Sequence, residues 1–121
     1  IRVTIKLLEG SVAARNNNPG NLRFMGQPNA KNVDGFASFP TPEIGFRALI
    51  KQIQADQKRG STLEAFITKY APPKENDTEK YIREVASELG ITRKVKINTL
   101  DTIELAKKIA KFESQTTVEE F

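Results

Sequence analysis

Arg15-Asn16-Asn17-Asn18-Pro19-Gly20-Asn21-Leu22-Arg23 places four asparagines around a Pro-Gly pair, and ordinary loop composition rarely produces such a turn. Pro19 fixes φ near −65° and Gly20 accepts a positive φ, so the pair predicts the two central positions of a type II turn. The asparagine amides either close Asx-turns on their own backbone or face outward as paired donors and acceptors. Taken alone, the segment is a well-made turn. Its flanks decide what the turn is for.

Upstream, Ile1, Val3, Ile5 and Leu7 alternate with Arg2, Thr4 and Lys6. This predicts a half-buried strand ending at Glu9-Gly10. Downstream, Leu22–Phe24 and Phe36–Phe39 are short apolar pieces, expected to pair as a small two-stranded sheet joined by a loop from Met25 to Gly35. Loops of that length are often functional.

Helix signals follow. Thr41 and Pro42 suit the N-cap and first position of a helix with an apolar stripe at Phe46, Leu49, Ile50 and Ile53, stopped by Gly60. Ser61-Thr62-Leu63-Glu64 reads as a capping box for a helix through Tyr70. Pro72-Pro73 ends it, and Asn76-Asp77-Thr78-Glu79 caps the next, which runs to Gly90. A link from Ile91 to Leu100 leads to Asp101, the cap of a last helix ending near Glu113 or Ser114. The tail from Gln115 to Phe121 lacks periodicity and reads as a linker. The expectation is a mainly α (α+β) domain over 13–114, with residues 1–12 and 115–121 as strand or linker.

Composition narrows the chemistry. The 121 residues suffice for one hydrophobic core, and 38% hydrophobic with 28% charged residues is ordinary for a folded soluble domain. No apolar run approaches the ~20 residues that span a bilayer, so stable membrane insertion is not expected. The chain begins at Ile1 rather than Met, as a fragment of a longer polypeptide would. There is no histidine and no cysteine. That excludes Ser-His-Asp and Cys-His catalysis, common zinc sites and a disulfide framework, and no metal or cofactor is expected. A hydrolytic version of this domain must use a carboxylate. A net charge of +4 suits a polyanionic partner, although the lysines are spread over several helices rather than gathered as a nucleic-acid stripe. Nucleic acid is therefore not expected as a partner.

Glu113 is the first candidate acid, because it continues the stripe of Ile103, Ala106 and Ala110 at the end of the last helix. Partial burial and the negative helix C-terminus both disfavour a carboxylate, as a general acid requires. A solvated, frayed helix end is the plain alternative. Glu9 competes, lying just before the Asn-rich turn. Glu43 falls in a first helical turn, where the macrodipole favours the charged form, and suits capping better. Tyr70 and Tyr81 flank a polar connection; they are candidate sugar-stacking or hydroxyl-donating groups, or simply neighbours of helix caps.

Three segments together resemble the lysozyme-like domain of phage virion proteins and related bacterial proteins. Arg15–Arg23 is similar to its opening, Phe39-Pro40-Thr41-Pro42-Glu43-Ile44-Gly45-Phe46-Arg47-Ala48 to its next block, and Tyr70–Thr78 with Tyr81-Ile82 to its third. The resemblance implies a muramidase or lytic transglycosylase fold acting on peptidoglycan glycan strands. It implies a phage virion location with action in the bacterial periplasm or cell wall, and other virion proteins as partners through a larger parent chain. Such domains commonly end in a His-Glu-Asn-Gly-like motif, where this chain has Phe112-Glu113-Ser114-Gln115. The Glu is kept; the His and Gly are not. Glu113-Ser114 is also similar to the Glu-Ser of transglycosylases, whose Glu helix precedes the sheet, and a circular permutation would reconcile the two orders. By this resemblance Glu113 is the catalytic acid/base. Asn16, Asn17, Asn18 and Asn21 bind N-acetyl and carbonyl groups, with Tyr70 and Tyr81 along the groove. No second carboxylate stands at a forced spacing, which favours a transglycosylase over a hydrolase. The altered motif leaves open an inactive peptidoglycan-binding or virion structural module.

Overall fold

The alternating N-terminal segment forms β1 (Val3–Lys6), and the computed structural model, which describes residues 2–74 and 76–120, pairs it antiparallel with β4 (Thr117–Glu120). Ile5 stands opposite Val118 and Lys6 opposite Thr117. The segment expected to be a linker is thus a strand. Val118 is its one apolar residue, too little for a periodic signal, and its order comes from the partner strand 111 or more residues away in sequence. Ile1, Phe121 and Glu75, which entered the sequence expectations, lie outside the described residues.

The other elements in chain order are α1 (Val12–Arg15), β2 (Lys31–Val33), β3 (Phe36–Ser38), α2 (Pro42–Lys58), α3 (Leu63–Tyr70), α4 (Thr78–Leu89), a 3₁₀ turn (Ile97–Thr99) and α5 (Thr102–Ser114). The chain is mainly helical with two small antiparallel sheets, as its composition and periodicity imply. No described helix is long and apolar enough to cross a membrane. Two compact units form: Ile1–Gln52 with Ile103–Phe121, and Ile53–Thr102.

In the first unit, β2 and β3 make a two-residue hairpin whose turn is Asp34-Gly35, with φ of 53° and 89°. An Asp-Gly turn of this kind matches the right-handed twist of the strands it joins. The stretch expected to be one long loop therefore contains a strand and its turn. The expected pairing of Leu22–Phe24 with the Phe36 strand is present beside the hairpin. Ala37 N–H donates to the Leu22 carbonyl and Phe24 N–H to the Gly35 carbonyl, bridging Arg23 to Phe36. The Arg23 guanidinium lies 4.5 Å from the centre of the Phe36 ring. Leu22, Ala37, Phe39, Phe46, Leu49, Leu105, Ala106, Ile109 and Ala110 are buried in this unit. Lys107 on α5 bonds Glu120 of β4 at 2.7 Å. That contact, with the nearby Glu104, raises the ammonium pKa above its ordinary value.

In the second unit, Thr62 caps α3 by accepting from Ala65 N–H, and Asp77 caps α4 by accepting from Lys80 N–H. The cap of α3 falls one residue later than the capping box placed it. Glu64 is engaged elsewhere: it meets Lys94 and Arg93, each at 2.6 Å, and Arg93 also forks onto Glu79. Bonds from Lys94 and Arg93 lower the Glu64 pKa, and those from Arg93 lower that of Glu79. Asp56 is buried and accepts from Arg59 and Lys69. Gly90 closes α4 in the left-handed conformation.

Candidate functional site

Asn21 N–H donates to the Asn18 carbonyl at 3.0 Å and closes a turn over Pro19 and Gly20. The positive φ angles here belong to Asn17 (50°) and Asn21 (49°), not to Gly20. The expected type II turn with a left-handed glycine is corrected accordingly. Asparagine tolerates the left-handed region because its short amide bonds locally, and it keeps a side chain that glycine lacks.

Those side chains are spent inside the protein. Asn18 is fully buried. Its amide nitrogen donates to the Leu22 carbonyl (3.0 Å) and the Ala37 carbonyl (2.9 Å), and its oxygen accepts from Leu22 N–H (2.9 Å). It ties the turn to β3, and the expectation that Asn18 meets a ligand is corrected: no surface of it is offered to one. Asn17 donates to the Phe39 carbonyl at 2.9 Å. Asn16 is also buried and ends α1, while its carbonyl accepts from Phe39 N–H. Asn17 and Asn21 are half-buried.

The same turn lies against α2 at Gly45. A Cβ placed on Gly45 would stand 2.0 Å from the Asn17 carbonyl oxygen and 3.0 Å from Pro19 Cδ. Only glycine lets the turn backbone approach this closely. The signal was in the sequence: a glycine three residues into an amphipathic helix costs about 1 kcal/mol relative to alanine, so it calls for a packing reason.

From the other side the turn meets the end of α5. The Asn21 amide donates to the Glu113 carbonyl at 2.9 Å, across 92 residues of sequence. Ser114 Oγ, buried, lies 2.6 Å from the Pro19 carbonyl and 2.5 Å from Thr116 Oγ1. The last carbonyls of a helix have no partner within it. In α5 they are met by Gln115 N–H on Lys111, Thr116 N–H on Ala110 and the Asn21 amide on Glu113, with Gln115 left-handed at φ 53°. Glu113 is half-buried and held in an ordered last turn rather than at a frayed end. Phe112 stands where the resembled motif has histidine, with the Lys111 ammonium 5.8 Å from its ring centre.

The remaining candidates lie elsewhere. Glu9 is exposed in the loop before α1, and Glu43 is exposed in the first turn of α2. Tyr70 and Tyr81 belong to the second unit; both are half-buried, and the Tyr70 ring lies 5.6 Å from that of Phe66. Between them, Asn76 donates to the Pro72 carbonyl, Asp77 caps α4, and the buried Thr78 hydroxyl donates to the Ala71 carbonyl. The polar connection is therefore built of caps and closures. Among the described residues, no three acidic side chains gather as a metal site would require.

The structure thus brings together, in one unit, Asn16–Asn21, Gly45, Glu113 and Ser114. Comparison with known proteins adds a relative. Over 100 residues the chain is 36% identical to Protein P5 of Pseudoalteromonas phage PM2, covering 74% of this chain. The chain spans 62% of the length of that phage protein. The chain is related to a bacteriophage protein. No protein-family model matches it.

Proposed function

We propose that this domain cleaves the glycan strands of bacterial peptidoglycan between N-acetylmuramic acid and N-acetylglucosamine, as a lytic transglycosylase of a phage particle. One observation carries the reading: the Asn-rich turn and the acid-bearing end of α5, two segments singled out independently in the sequence, are hydrogen-bonded to each other through Asn21 and Glu113. In this reading Glu113 protonates the glycosidic oxygen as the oxocarbenium-like state develops. The same carboxylate then takes the proton of the muramic 6-hydroxyl as that oxygen attacks the anomeric carbon, giving a 1,6-anhydro product. A hydrolase would need a further group to position water. The kinship to a phage protein supports a role in passage through the cell wall, in the bacterial periplasm, and the net charge of +4 suits an acidic wall polymer.

Digestion of purified peptidoglycan by the wild type and by Glu113→Gln, with mass analysis of the products, tests this. Anhydro-muramic ends that vanish in the variant are the expected result. Reducing ends would make the domain a muramidase. Full activity in Glu113→Gln would remove Glu113 from the chemistry, and binding without cleavage by the wild type would make the domain a wall-binding module.

A further inference from the structure

Asn21 and Ser114 make a reciprocal clasp. Each side chain reaches a main-chain carbonyl of the other segment: Asn21 Nδ2 to Glu113 at 2.9 Å, and Ser114 Oγ to Pro19 at 2.6 Å. The two bonds run in opposite directions between adjacent residues of α5 and a single turn. They fix both the height and the rotation of the last helical turn, which one bond could not. Ser114 is 8% exposed and Asn18, at the base of the turn, 0%, so the clasp stands on a buried support. Gly45 presses the turn from the α2 side, with no room for even a methyl group.

We infer that Asn21 is a positioning residue for Glu113: its amide holds the backbone that carries the carboxylate, and Ser114 is its counterpart. This rests on the proposed role of Glu113 as the acid. It also revises what the asparagines and Ser114 are for. Asn21 acts on the helix rather than on the sugar, and the Ser114 hydroxyl, 3.0 Å from the Ala110 carbonyl of its own helix, also reaches the turn. A left-handed asparagine suits the post because its φ of 49° aims the amide while glycine at the same place would have no amide to aim.

The test is steady-state cleavage of soluble glycan strands by the wild type, Asn21→Gly and Glu113→Gln, with folding monitored by circular dichroism. Asn21→Gly keeps the left-handed backbone and removes only the amide. A folded Asn21→Gly should lose kcat by on the order of 10- to 100-fold with KM changed by less than about 2-fold, because misplacing a reacting group costs rate rather than binding. Wild-type kcat in folded Asn21→Gly, with Glu113→Gln inactive, overturns the positioning role alone. Full activity in Glu113→Gln overturns the reading beneath it. A rise in KM at unchanged kcat would return Asn21 to substrate binding and also overturn the inference. If Asn21→Gly does not fold, Ser114→Ala is read by the same criteria; failure of both to fold makes the clasp a stability element and refutes the proposal.

Discussion

Alanine at position 45 should damage the protein although alanine is the better helix former. The new Cβ would stand 2.0 Å from the Asn17 carbonyl oxygen, a backbone atom, whereas ordinary contact begins near 3.4 Å. The turn would have to retreat by roughly 1.4 Å, a displacement of the size that makes overpacked sites cost about 1–3 kcal/mol. Retreat also stretches the bonds from Asn17 to Phe39, from Phe39 to Asn16 and from Asn21 to Glu113. Each such bond contributes about 1 kcal/mol net. Overpacking with the loss of one or two such bonds, set against a gain of about 1 kcal/mol in helix propensity, leaves a net loss of roughly 1–4 kcal/mol. For a chain of this size that lowers Tm by roughly 4–16 °C. Urea and thermal unfolding followed by circular dichroism would measure it, with the exposed Gln54→Ala on the same helix as control. A Gly45→Ala protein as stable as the wild type, or more stable by the propensity gain, would refute the close approach of turn and helix.

Asn18→Ala should destabilise by about 2–4 kcal/mol in the same assay, because it strands the Leu22 N–H and the Ala37 carbonyl and leaves the Leu22 carbonyl with the Ala37 N–H alone. Glu64 and Glu79 have pKa values lowered in the fold, so their contribution is complete above the ordinary carboxylate range and is lost as pH falls through the folded values. Arg93→Met should flatten that acid-side loss in a pH series of unfolding free energies; an unchanged slope would remove Arg93 as its cause. Lys107 has a raised pKa, so its contribution is complete below the ordinary lysine range and is lost as pH rises through the folded value. Lys107→Met should abolish this alkaline decline, and Glu120→Gln should reduce it, Glu104 keeping the remainder. The test of Glu113→Gln on peptidoglycan stands beside these as the one that bears on function.

The helical part of the fold was legible because its signals are local. Thr41, Thr62 or its neighbour, Asp77 and Gly90 mark helix ends by bonds spanning three or four residues, and the apolar stripes repeat within each helix. The hairpin was half legible. Its Asp34-Gly35 turn is a short-range signal, but the exposed Lys31-Asn32-Val33 strand carries no burial pattern to mark it. β4 could not be read, because a strand with one apolar residue takes its order from a partner at the opposite end of the chain.

For the site, sequence by itself determined the ingredients: four asparagines that can adopt left-handed backbone, a glycine in a helix where alanine would be stabler, and a carboxylate on the inner stripe of α5. It also determined what chemistry is excluded, since a chain without histidine or cysteine has no imidazole or thiol to offer. Only the tertiary structure decided where the asparagine amides point. An amide satisfies a sugar and an orphan carbonyl equally well, and the choice depends on which acceptor the fold brings within about 3 Å. Here the fold brings Leu22, Ala37, Phe39 and the last turn of α5. The turn that looked like a surface for ligand is, at Asn18 and Asn21, the fastening between β3 and the helix that carries Glu113.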